Sequence, residues 1–112
     1  MLQLKLKKYI TLCVKGCGIL FQPQLDPIIV GQVIAKFRVR KGMTQEVLSG
    51  FADIARGHLA MIERGERKPT LETLFRISTA LDIPMAVIVE EIELELHKKT
   101  EKNRVKNEDT PK

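Results

Sequence analysis

Tryptophan is absent from this 112-residue sequence, and one tyrosine and four phenylalanines bring the aromatic share to only 4%. A core must therefore be assembled from Ile, Leu, Val, Met and the few Phe, a composition typical of small helical bundles. Cysteine is nearly absent too. Cys13 and Cys17 lack the spacing of a zinc site, and His58 and His97 lie too far along the chain to complete one, which leaves the reading of free thiols in a reducing cytoplasm. No metal and no cofactor is expected. Long apolar runs are missing as well: the stretch after Met1, Lys5, Lys7 and Lys8 is broken by Lys15 and Gly16, and nothing approaches the roughly 20 apolar residues of a membrane span. A cytoplasmic, nucleoid-associated protein without a membrane partner is expected. The sequence has no phosphate loop and no Ser/His/Asp grouping, so it does not read as an enzyme.

The 44% apolar content and the length suit one compact domain with short appendages. The net charge of +5 is compatible with a polyanionic partner, and its distribution is uneven. Residues 1–50 carry eight Lys or Arg against Asp26 and Glu46, residues 51–84 are balanced, and residues 85–112 are slightly acidic.

Three zones follow from the patterning. In residues 1–26, Leu2, Leu4, Leu6, Ile10, Leu12 and Val14 fall on even positions, a period of two that favours a half-buried strand, until Gly16, Gly18, Pro23 and Pro27 interrupt it. From Pro27 to about Val89 the period is helical. Val30, Ile34 and Phe37 mark a first helix ending in Arg38, Arg40, Lys41 and Gly42. Thr44 caps a second, with Val47, Leu48 and Phe51 apolar and Ala52 small. Asp53, Ile54 and Ala55 form a turn into a third helix, Arg56 to Arg64, burying Leu59 and Ile62 before Gly65 ends it. Thr70 caps a fourth helix with Leu71, Leu74, Ile77 and Leu81 on one face, and Pro84 opens a fifth element. The polar tail from Lys98 to Lys112 is expected to be disordered.

Two short helices joined by a tight turn, the first with a small residue and the second with paired apolar ones, form the unit that lays its second helix in the DNA major groove. The outward positions of that helix are Arg56, Gly57, Ala60 and Met61, with His58 beside them. Over residues 31–84, the pattern Arg38, Gly42, Thr44-Gln45-Glu46, Leu48, Ala52, Ile54, Leu59, Ile62, Glu63-Arg64-Gly65, Pro69, Leu71, Leu74, Ala80 and Leu81 resembles the Cro/repressor (XRE-like) family of helix-turn-helix domains, found in phage repressors, restriction–modification controllers and antitoxins.

That resemblance implies an all-α, five-helix, lambda-repressor-like bundle over residues 27–90. The extended segment 1–26 is appended before it. Double-stranded DNA is the implied partner. Arg56 matches the first base-contacting position, where its planar fork suits guanine O6 and N7, although a solvated arginine is the plainer reading. Thr44 and Gln45 match phosphate contacts at a helix N-terminus, with capping alone the simpler role for Thr44. Arg64, Arg67 and Lys68 match backbone contacts, or are merely solvated. Arg38 and Glu63 match an internal ion pair.

Departures from the family pattern bear on specificity. Ala55 stands where Ser, Thr or Asn usually caps the recognition helix, at a cost of about 1 kcal/mol, and Asp53 stands where Gly is common. Gly57, Ala60 and Met61 offer bases no side-chain hydrogen bond, so a narrow or relaxed site is expected, read by Arg56, by apolar contact with thymine methyls and by DNA shape.

The family generally dimerises through its last helix, which makes a homodimer on a palindromic operator the expected assembly. Residues 91–97 allow two readings. As a helix, Met85, Ile88, Ile92 and Leu96 form a stripe for a partner helix; as a strand, Ile92, Leu94 and Leu96 alternate with glutamates and could pair with residues 2–9 in a ribbon. The competing function is a protein-interaction module or antitoxin-type subunit with weak DNA readout, favoured by the sparse reading face and by an expected exposure of Val33, Val39 and Phe51. No sensor segment for a small-molecule effector is evident.

Overall fold

A computed structural model of the chain describes residues 24–108, which contain five α-helices and no strand. In chain order they are α1 (Pro27–Arg40), α2 (Gln45–Ala52), α3 (Arg56–Glu63), α4 (Leu71–Ala80) and α5 (Met85–Glu108). The alternating segment of residues 2–14 and both cysteines lie outside the described residues.

Local chemistry sets the boundaries. Asp26 caps α1 by accepting from Ile28 N at 2.9 Å, and Pro27 at the first helical position loses no intrahelical donor. Thr44 and Thr70 cap α2 and α4, each accepting at 3.1 Å from the backbone N–H three residues on. Gly65, at φ +80 after α3, has no alternative: a Cβ there would lie 2.8 Å from Ile28 Cγ1 on α1.

The core draws on every helix. Ile34, Leu48, Leu59, Ile62, Ile77, Leu81 and Ile88 are fully buried, and each such side chain removed from water is worth about 1.5–3 kcal/mol. α1 packs on α3 and α5, α2 on α3 and α4, and α4 on α5. Gly31 permits the first of these contacts, since a Cβ on it would sit 2.3 Å from Ile62 O and 2.6 Å from Glu63 O. Its place in the packing is not legible from periodicity, because a glycine carries no hydropathy signal.

Three expectations change, and one choice left open is decided. Val33 is buried, because it continues the Ile29–Val30–Ile34 stripe of α1 rather than standing outside it. Leu71 is exposed; the buried stripe of α4 is Leu74, Ile77, Ser78 and Leu81, and the first turn lies outside the core. Residues 91–97 are helical, so a ribbon that needs them extended has no counterpart. The tail expected to be disordered continues α5 to Glu108. Here a nucleated helix propagates at one hydrogen bond per added residue through good helix formers, helped by the Lys98–Glu95 pair and by Lys99 reaching back to Asp26.

Candidate nucleic-acid interface

The tight turn between α2 and α3 is closed by a pair of backbone bonds, Asp53 N to Gly50 O at 3.4 Å and Ile54 N to Ser49 O at 3.1 Å, with Asp53 left-handed at φ 56 and Ile54 packed on the core. A carboxylate residue in that conformation is secured by Arg76 on α4, whose Nη1 donates to Asp53 O at 3.2 Å and lies 3.7 Å from its Oδ2. This support for the turn escaped the sequence reading, since nothing in the spacing links Arg76 to Asp53.

Leu59 and Ile62 are buried on the inner side of α3, which turns Arg56 and Gly57 fully outward and leaves His58, Ala60 and Met61 half-buried. Ala55 at the N-cap makes no side-chain bond to the helix. Arg56 has no hydrogen bond or ion pair among the described residues. It lines an open groove of about 490 Å³ together with Gly42, Met43, Thr44, Gln45 and Arg38. The floor of this groove holds the N-terminus of α2, whose free amides favour an anion.

A buried network lies behind the groove. Arg38 Nε and Nη2 donate to the two oxygens of Glu63 at 2.8 and 3.0 Å, and Nη1 donates to Met43 O at 2.8 Å. Gln45 Nε2 joins the network at 3.1 Å from Glu63 Oε1, so its side chain is engaged inward. The Glu63 side chain is 6% exposed, and a bidentate partner plus an amide donor offset the cost of burying its charge. α1, the start of α2 and the end of α3 are thereby tied at one point.

Past α3, Arg64 is paired with Glu66 at 2.7 Å, whereas Arg67 and Lys68 are exposed and make no such bond among the described residues. The structure thus brings Arg56, Thr44 and Gln45 around one groove and sets Arg64, the C-cap of α3, and Arg67 and Lys68 in the loop that follows it.

A family model described as helix-turn-helix matches residues 34–88. The restriction–modification controller protein C.AhdI from Aeromonas hydrophila is similar at 31% identity with a TM-score of 0.56, over 58% of this chain and 98% of that one. The chain belongs to the Cro/XRE-type helix-turn-helix family. Two further relatives of the family are the transcriptional regulator ClgR of Mycobacterium tuberculosis, 38% identical over 54% of this chain, and the immunity repressor protein of Bacillus phage phi105, 36% identical over 74% of it. The chain spans about half the length of these relatives, 54% and 58% respectively. Among the described residues of this family member, no helix is long and apolar enough to cross a membrane.

Proposed function

We propose that this chain is a sequence-specific DNA-binding transcriptional regulator of the cytoplasm and nucleoid, acting as a dimer on a palindromic operator. α3 enters the major groove with Arg56 at the base edges, flanked by Gly57, His58, Ala60 and Met61. Thr44 and the α2 N-terminus take a phosphate, and Arg67 and Lys68 take others, with Arg64 following once Glu66 yields. The observation that carries this reading is an outward guanidinium at the start of α3, without a partner among the described residues, beside a groove floored by free helix amides. The relatives named as regulators and repressors support it, and two copies supply the affinity that one small reading face lacks.

A second reading, the protein-interaction module, is favoured by exposed apolar residues on α2 and α4: Phe51 at 70%, Leu71 at 71% and Phe75 at 58%. The salt dependence of binding to operator-like and random duplexes separates the two. A DNA regulator shows a steep salt slope together with a preference for one site; phosphate-only contact gives the slope without the preference, and an interaction module gives neither.

A further inference from the structure

The groove beside Arg56 carries little positive charge of its own. Of its lining residues, Arg38 is engaged by Glu63 and Met43 O, and the Gln45 amide is turned to Glu63 as well. Arg56 and Glu46 remain, and their charges formally cancel. Glu46 is an exposed carboxylate in the first turn of α2, where it already complements the helix dipole. In the proposed function Arg56 is directed to base edges. A phosphate over Thr44 and the α2 amides then meets Glu46 with no cation opposite, and a helix terminus supplies only about half an elementary charge. Such a seat calls for a further cation at its rim.

The C-terminal half of α1 carries three besides Arg38. Lys36 is bonded to Glu91 at 2.7 Å. Arg40, one turn on and on the same face, lies 5.8 Å over the Phe37 ring and helps to hold Glu91 below its ordinary value. Lys41 differs from both. It is the C-cap of α1, it is exposed, and its side chain makes no hydrogen bond or ion pair among the described residues. Val39 before it and Gly42 after it both line the groove, and Gly42, at φ +70, turns the chain from α1 towards Thr44. Lysine suits the place: a compact charge on a flexible four-carbon stem meets a phosphate without the fixed geometry that a guanidinium brings to a base edge.

We propose that Lys41 is a phosphate-binding residue, its ammonium supplying the cation for the DNA phosphate seated over Thr44 and the α2 amides. This rests on the DNA reading of the same groove and adds a division of labour to it, with Lys41 for the backbone and Arg56 for the bases. The complement that Lys41 makes to the α1 dipole is compatible with that role.

Salt titration of duplex binding by the full chain tests it, comparing the parent with Lys41→Gln, Lys41→Arg and Lys36→Gln on a mixed-sequence duplex long enough for two half-sites. Losing one phosphate contact lowers the slope of log K against log salt by about 0.9. Lys41→Gln should show that loss for each bound protomer, with unchanged circular dichroism, and Lys41→Arg should keep the parent slope. Lys36→Gln removes the same formal charge from the same helix and should also keep it, because the Lys36 ammonium is held by Glu91. A parent slope in Lys41→Gln, or an equal loss in Lys36→Gln, overturns the assignment and leaves the DNA reading standing. A parent chain that binds no duplex overturns both.

Discussion

In the proposed function Arg56 concentrates the chemistry of the reading face, because Gly57 has no side chain and Ala60 and Met61 offer no hydrogen bonds. Arg56→Ala should remove discrimination at one base pair by about 1–3 kcal/mol while leaving the helices folded; binding titrations against single-base operator variants, with circular dichroism as control, measure both. Arg38→Ala acts differently. It strips Glu63 of two charge-assisted bonds and leaves that buried carboxylate on Gln45 alone, so it should cost stability by about 3–5 kcal/mol and not merely affinity. Thermal unfolding without DNA separates the two residues: a normal melting curve for Arg56→Ala beside a depressed one for Arg38→Ala. The positions of Arg56 and of the Arg38–Glu63 pair were legible in the sequence because they fall in a dense motif. The inward turn of Gln45 and the Arg76 support of Asp53 were not, since each depends on a side-chain rotamer choosing between water and a partner distant in sequence.

At the scale of elements, α3 is the weak member, eight residues long with an alanine cap. Ala55→Ser should supply the missing acceptor for the first-turn amides, raise stability by about 0.5–2 kcal/mol and tighten DNA binding by restoring a hydroxyl near the phosphate path; denaturant melts and binding isotherms of one preparation report both effects. Gly31→Ala should do the reverse. Its Cβ meets backbone oxygens at the end of α3, which cannot rotate aside as a side chain can, so α1 and α3 must move apart at a cost of about 1–3 kcal/mol or more. The helix boundaries of α1 to α4 were readable from Thr44, Thr70, Gly42 and Gly65, residues that act locally. The length of α5 was not, because past the apolar stripe the helix is supported by the Lys98–Glu95 pair and by Lys99, whose partner Asp26 is the distant cap of α1.

For the whole molecule, two ion pairs hold α5 along α1. Lys36 donates to Glu91 at 2.7 Å, and Lys99 bonds Asp26; the lysine beside each carboxylate holds it below its ordinary value, 4.5 for Glu91 and 3.8 for Asp26, with the Ile28 N–H assisting at Asp26. A carboxylate depressed in the folded state binds its proton more readily in the unfolded chain, so this stabilisation is complete above the ordinary values and fades as pH falls through the depressed ones. Both pairs are partly solvated, and each contributes about 0.2–1 kcal/mol. The stability gap between the parent chain and a Lys36→Ala, Lys99→Ala double variant should therefore be constant from neutrality to about pH 5 and close below about pH 4. In the function proposed above, a second copy on DNA decides more than these contacts, because a single reading face this sparse recognises too few base pairs to pick out a site. Selection of binding sites from a random duplex pool tests that account most directly. The predicted outcome is a two-fold symmetric site with half-sites about one helical turn apart, one position of each half relaxing with Arg56→Ala. Recovery of no common sequence, or of an asymmetric one that Arg56→Ala leaves unchanged, would contradict it.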